Sequence, residues 1–234
     1  MTLISARRAG RRFGSRWALR DASLTVAAGE TVALIGPNGA GKTTLLSLLA
    51  GALDPSEGEV DGGAVGGFVP QRAALWRRLT VRENLELIAR FDALADPRAA
   101  VASLLGRTGL AAIADTRVDA LSVGQVQRAN VAAGLLGDPR VVLLDEPTAS
   151  LDPRQRRLLW ALLTPIAAAG GAVVFTTQNV EEVALHADRV LALVDGRVVF
   201  SGTVAAFRRQ AGADSDDSFE TAFVRFLADF GGDG

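Results

Sequence analysis

The chain lacks cysteine and tyrosine altogether and has a single methionine, a single histidine (His186) and a single lysine (Lys42). Without cysteine there are no disulfides, no Cys-ligated zinc, no iron–sulfur cluster and no thiol nucleophile. One histidine excludes a His-rich metal site. Lys+Arg number 25 against 26 Asp+Glu, a net charge of −1, and no generally basic surface is expected to seek nucleic acid as a partner. What is present is 49% hydrophobic residues over 234 positions, ample for a core and contrary to a disordered or collagen-like chain. Every basic residue except Lys42 is arginine. Lys42 is therefore either an accident of composition or a position where arginine will not serve.

Met1 to Arg12 meets charge before any apolar run can build, so no secretory signal and a cytoplasmic location are expected. The uncharged run from Leu158 to Val180 has the length of a bilayer span, but Pro165, Gly170-Gly171 and the polar Thr176, Thr177, Gln178 and Asn179 punctuate it. A helix, a turn and a strand account for that pattern better than one membrane helix. Six arginines, from Arg7 to Arg20, dominate the first thirty residues. They read as solvated surface, with contact to anionic lipid as the lesser alternative.

Leu19–Val26 reads as a strand, Ala27-Ala28-Gly29-Glu30 as a turn, and Thr31–Ile35 as a buried strand running straight into glycines. An apolar helical run, Lys42–Ala50, follows and stops at Gly51. Turns and small strands are expected over 52–72, and mostly helix from Thr80 to about Leu136. Strand character returns at Val141–Leu144, Ala172–Thr176 and Val190–Val194, and Glu181 to Arg189 looks like an ordinary helix. Asp152-Pro153 is a helix start, an Asp cap before Pro at the first helical position. Apolar strands alternating with helices imply an α/β fold with a mostly parallel core sheet flanked by helices.

Gly36-Pro37-Asn38-Gly39-Ala40-Gly41-Lys42-Thr43 matches G-x-x-x-x-G-K-[ST] without a mismatch, between a strand and a helix as that phosphate-binding motif requires. Its glycines allow consecutive N–H groups to converge on an anion, and the helix that carries Lys42, Thr43 and Thr44 adds its N-terminal dipole. The compact Lys42 ammonium suits a slot between β- and γ-phosphates where a planar guanidinium does not, and Thr43 offers a hydroxyl to Mg²⁺. Farther along, Val141–Leu144 ends in Asp145-Glu146, placing two carboxylates at a strand's C-terminal edge beside the phosphates. Asp145 is expected to hold Mg²⁺ and Glu146 to polarise the attacking water.

Leu121-Ser122-Val123-Gly124-Gln125, with Gln127 and Arg128, lies just upstream of that acidic strand. With these motifs in order across nearly its whole length, the chain resembles the ATP-binding cassette (ABC) ATPases of ABC transporters. The resemblance implies a P-loop NTPase-type core with an N-terminal antiparallel β portion and a helical subdomain inserted over approximately 76–138. A short helical tail over approximately 215–230 completes a single nucleotide-binding domain, 1–234. It likens Phe13 to the aromatic that stacks on adenine, with Trp17 as rival and core packing as the plain alternative. It likens Gln71 to the glutamine linking the metal site to the transmembrane partner, and Ser150-Leu151-Asp152 to the loop after the acidic pair. Ser122, Gly124 and Gln125 would then meet the γ-phosphate of ATP bound to a second cassette in a head-to-tail dimer. By itself Ser122 is equally a helix cap, and so is Asp152.

Two positions depart from the family pattern. Val123 stands where glycine is common, and Gln178 stands where the resemblance calls for a switch histidine. An amide there donates a hydrogen bond but carries neither charge nor proton, so hydrolysis is expected to be slow or a second, different subunit to form the better site. His186 falls in the following helix and reads as a surface or packing residue. Gln71 and Ser122 are too close to admit the long coiled coils of chromosome relatives, and one phosphate loop excludes two-cassette translation factors. What remains is a motor on the cytoplasmic face of the cell membrane, docked to separate transmembrane permease subunits. Trp76 and its arginine neighbours are candidates for that contact, or Trp76 and Leu79 fill the insert's own core. Leu79–Leu85 and the tail Asp217–Leu227 look like the exporter branch that works with ABC-2 type permeases. An importer ATPase and a cassette ATPase without a permease are the alternatives.

Overall fold

The computed structural model describes residues 1–62, 67–149, 151–214 and 217–230. Strand β1 (Thr2–Phe13) pairs antiparallel with β2 (Arg16–Ala27) on one side and with β4 (Glu57–Asp61) on the other. In β1, Ile4, Ala6 and Ala9 point inward, but the alternation slips where Arg7 and Arg8 both face solvent. There the register shifts and Arg8 takes a left-handed φ of 49°, a bulge that re-phases the strand.

A six-stranded sheet has the order β5 (Gly67–Val69), β6 (Val141–Leu144), β7 (Ala172–Thr176), β3 (Thr31–Ile35), β8 (Arg189–Val194) and β9 (Arg197–Thr203). All neighbours are parallel except β9, which runs antiparallel to β8. This is the mostly parallel α/β core, with an N-terminal antiparallel portion, that the sequence led us to expect. All five residues of β3 are buried because both faces are covered: Ala33 and Ile35 enter one core, Val32 and Leu34 the other. The second core includes Leu45, Leu46, Leu48 and Leu49 of helix α1 (Lys42–Leu49) and the inward face of β1 and β2.

Helices α2 (Val81–Phe91), α3 (Pro97–Arg107) and α4 (Val123–Gly134) lie between β5 and β6 in the chain, and α5 (Pro153–Ala168) follows the acidic pair. Each of α2, α4 and α5 begins with a capping box, Thr80 with Glu83, Ser122 with Gln125 and Asp152 with Gln155, which satisfies end N–H groups that would otherwise be orphaned. The uncharged run at 158–180 is divided between α5, a turn and β7, and no described helix is long and apolar enough to cross a membrane.

The segment after Glu181 is helical only as far as His186 (α6, Glu181–His186), and Arg189, expected to end that helix, instead opens β8. His186 stacks on Trp160 with ring centroids 3.9 Å apart, so it is a packing residue, and burial lowers its pKa. Helices α7 (Val204–Gln210) and α8 (Phe219–Ala228) close the sheet through a phenylalanine cluster. Phe207 touches Phe200, Phe219 and Phe226 at 4.7–5.2 Å between centroids. The tail's apolar stripe packs on the domain; its first expected residues, 215 and 216, lie outside the described residues.

Candidate active site

The phosphate loop leaves β3 at Ile35 and enters α1 at Lys42. Gly36 has φ 146°, and a Cβ there would lie 2.1 Å from the Leu193 carbonyl oxygen of β8. Gly41 has φ 99°, and a Cβ there would come within 2.6 Å of the Ala18 carbonyl. Neither position admits a side chain, so the loop's tight curl is a consequence of glycine placement. Gly41 caps α1 without any side-chain hydrogen bond, which leaves the helix's first N–H groups for an anion. Lys42 is 6% exposed and folds over the loop, its Nζ donating to the Gly36 carbonyl at 2.8 Å and the Pro37 carbonyl at 3.0 Å. Burial lowers its pKa, and the nearby Glu146 and Asp145 partly restore it.

Strands β6 and β7 run side by side and deliver the acidic pair and the switch residue to the same edge. Asp145 is buried, and its Oδ1 accepts the Thr176 hydroxyl at 2.6 Å. That same Thr176 oxygen accepts the Glu146 N–H at 2.8 Å. One hydroxyl at the end of β7 thus fixes both members of the acidic pair. Glu146 takes φ 47°, a conformation uncommon for a side-chain-bearing residue, which turns its carboxylate away from the strand direction. Both of its oxygens are engaged by amides: Gln71 Nε2 donates to Oε2 at 2.8 Å and Gln178 Nε2 to Oε1 at 2.8 Å. Residues 71, 146 and 178, far apart in the chain, form one cluster that lines a cleft with Asn38, Gly39, Ala40, Gly41, Lys42, Thr43 and Thr44.

A neighbouring recess is lined by Phe13, Arg16, Trp17, Ala18, Gly39, Asp195 and Gly196, so it adjoins the cleft through Ala18 and Gly39. Phe13 is 50% exposed and stands outside the core. Ser122, Gly124, Gln125 and Asp152 do not line the cleft. Ser122 and Asp152 are helix caps in this chain, and Gly124 is packed so closely under the Gln155 side chain that a Cβ would meet it at 2.4 Å. Val123 is exposed beside them. Ser150 lies outside the described residues. In the sequence Thr176 reads only as a polar residue interrupting the 158–180 run, because a threonine at the end of an apolar strand carries no motif.

Among the described residues no group of three or more His, Asp or Glu could hold a metal without help. The oxygen donors available are the Glu146 carboxylate, the Thr43 and Thr44 hydroxyls and the Gln71 amide oxygen that line the cleft, with the Asp145 carboxylate buried directly behind Glu146, a sparse and all-oxygen set. That suits Mg²⁺, which is held by one or two carboxylates together with substrate phosphates.

A P-loop at a strand–helix junction, an acidic pair at the end of a parallel strand of the same sheet, and the signature segment 121–125 opening α4 define a nucleoside-triphosphatase of the ABC type. The sequence profile of the ABC transporter family matches residues 19–149. The daunorubicin resistance ATP-binding protein DrrA3 of Streptomyces coeruleorubidus is 38% identical over 92% of this chain and 73% of its own length. A Nod factor export ATP-binding protein I of Rhizobium sp. (strain N33) is 37% identical over 82% of this chain and 67% of its own. Among solved structures, an ATP-binding subunit of an ABC transporter superposes with TM-score 0.87 at 25% identity, covering 97% of this chain and 100% of that one. The dimeric ATP-binding cassette MJ0796, in a post-hydrolysis state with ADP and Pi, superposes with TM-score 0.78 at 28% identity over 86% and 98%. The chain belongs to the ABC transporter family, as an ATP-binding ATPase subunit.

Proposed function

We propose that this chain powers an exporter: it hydrolyses MgATP at the cytoplasmic face of the cell membrane, paired head-to-tail with a second cassette and docked on separate transmembrane permease subunits. The observation that carries the catalytic part is the Glu146 carboxylate, held between the amides of Gln71 and Gln178 at the mouth of the P-loop. A carboxylate has about four lone-pair sites, so two amide donors orient it and leave acceptors for water. Gly36, Pro37, Asn38, Gly39, Ala40, Gly41, Lys42, Thr43 and Thr44 bind the phosphates, and Phe13 stacks on adenine. Thr43, Asp145 and Gln71 would hold Mg²⁺, which supplies charge neutralisation at the phosphates. Glu146 draws a proton from water as its oxygen attacks the γ-phosphorus in line, and the bond to the β-phosphate bridging oxygen breaks to release ADP. Gln178 keeps the carboxylate aimed and faces the γ-phosphate.

Ser122, Gly124 and Gln125, absent from their own chain's cleft, serve the nucleotide of the partner cassette, and Asp152 caps the helix that backs them. The region 76–138 acts as a helical subdomain within one cassette, 1–234. Trp76 is 49% exposed, with Arg77 and Arg78 exposed beside it, which supports it as part of the permease contact instead of as core filling. Drug resistance and Nod factor export, the roles in the relatives' names, support export. Glu146→Gln is expected to bind MgATP at wild-type affinity and lose turnover by about 10²-fold or more. Normal turnover in that variant would contradict the assigned base. Purification from membranes through a tag on this chain is expected to bring down hydrophobic permease subunits; recovery of the chain alone would sink the transporter reading.

A further inference from the structure

Behind the cleft, a carboxyl group that takes no part in this chemistry is buried between the two loops that carry it. Glu182, in the first turn of α6, is 4% exposed. Its Oε2 accepts the Thr148 hydroxyl at 2.8 Å and the Thr177 hydroxyl at 3.1 Å, while its Oε1 is buried with no hydrogen-bond partner. Burial raises its pKa, and the two hydroxyls and Arg156 offset that in part. A polar atom left unsatisfied in the interior is costly, so the gain from the other oxygen must be specific.

The two hydroxyls belong to places of consequence. Thr148 lies two residues beyond Glu146, in the loop after β6, and Thr177 immediately precedes Gln178, in the loop after β7. The Thr177 oxygen also accepts the Asn179 N–H at 3.0 Å, so Gln178 is bracketed by a turn centred on that hydroxyl. A single carboxyl oxygen therefore joins the loop after the base to the loop that bears the amide oriented on the base. Helix α6 is itself held from behind, since Glu181 Oε1 accepts the Glu220 N–H at the start of α8 at 3.2 Å.

We infer that Glu182 is a positioning residue for ATP hydrolysis, locking the two loops in the register that keeps Gln178 on Glu146. The inference rests on the roles proposed above for Glu146 and Gln178. Glu182 does not line the cleft; it acts through Thr148 and Thr177.

The test measures steady-state ATPase rate, MgATP affinity and melting temperature of the full chain for wild type, Glu182→Ala, Glu182→Gln and Thr177→Val, with Glu146→Gln in parallel. Glu182→Ala and Thr177→Val are expected to lower kcat about tenfold at unchanged MgATP affinity, because the phosphate loop is untouched while the base loses its alignment. Glu182→Gln, whose amide oxygen accepts the same two hydroxyls, is expected to recover most of that rate, while Thr177→Val, which keeps the volume and removes a hydroxyl, stays low, a combination that a merely space-filling role would not give. If Glu182→Ala fails to fold, the near-isosteric Thr177→Val decides alone. Rates within about twofold of wild type, or a rate loss that tracks lost affinity or melting temperature and is not recovered by glutamine, overturn the inference. Normal turnover in Glu146→Gln brings down the reading of the base itself, and the positioning role with it.

Discussion

Replacing Lys42 by arginine keeps the charge and asks whether the ammonium's shape is what the site needs. In the structure Nζ donates to the Gly36 and Pro37 carbonyls at 2.8 and 3.0 Å, which leaves one of its three protons to reach toward the cleft. The side chain is buried, so the surrounding loop has no slack for a longer planar group. A guanidinium spreads its donors in a rigid fork and cannot satisfy two adjacent carbonyls while pointing one N–H between two phosphates. Losing one hydrogen bond to a charged group costs about 1.5–3 kcal/mol, which is roughly 10- to 100-fold in affinity. Lys42→Arg is therefore expected to weaken MgATP binding by that factor, with turnover falling in step. Calorimetric titration of the purified chain with MgATP measures the affinity, and a melting curve without nucleotide shows whether the variant is folded. Arginine stays protonated, so a loss cannot be assigned to neutralisation. A folded variant with MgATP affinity and kcat within about twofold of wild type would refute the reasoning and return the lone lysine to compositional accident.

Three further outcomes are expected. Gln178→His in the assembled complex should raise the ATPase rate and add a titration near ~6.5 to its pH profile, since an imidazole can carry a proton where an amide cannot; an unchanged rate and a flat profile would overturn the expectation that Gln178 slows hydrolysis. Phe207→Ala should cost about 3–5 kcal/mol in urea unfolding, because the ring is fully buried among three other phenylalanines; a loss under ~1 kcal/mol would show that this phenylalanine cluster does not hold α7 and α8 on the sheet. Burial lowers the pKa of His186 in the folded chain, so the unfolded chain takes up its proton first as pH falls below ~6.5. The stability held above that pH should therefore drain away through the window below it, and the slope should be absent from His186→Phe. Equal slopes in the two proteins would locate the effect elsewhere.

The legible parts of this sequence were those whose chemistry is local. The P-loop spacing, the apolar runs of β3, β6 and β7, and the Asp152-Pro153 helix start each sit within a few consecutive residues, and each stands where it was expected. Strand β1 was not legible, because a bulge at Arg7 and Arg8 breaks the two-residue period that marks a strand. Strand β9 was passed over because most of its residues are only partly buried and its alternation is weak. The end of α6 was overrun because helical spacing carries past His186 until the sheet claims Arg189.

By itself the sequence determined which chemistry is available: one compact ammonium at the end of a glycine-rich loop, two carboxylates at a strand's end, and an amide in place of an imidazole. Those properties belong to residue types and short-range geometry, so no partner in space is needed to read them. Only the tertiary structure decided that Gln71 and Gln178 grip opposite oxygens of Glu146 and that the Thr176 hydroxyl holds both the Asp145 carboxylate and the Glu146 backbone N–H. It also placed Glu182, which no motif marks, across two loops. Apart from the local Thr177–Glu182 bond, those contacts join residues thirty or more positions apart, and parallel pairing of β5, β6 and β7 is what brings them within 3 Å.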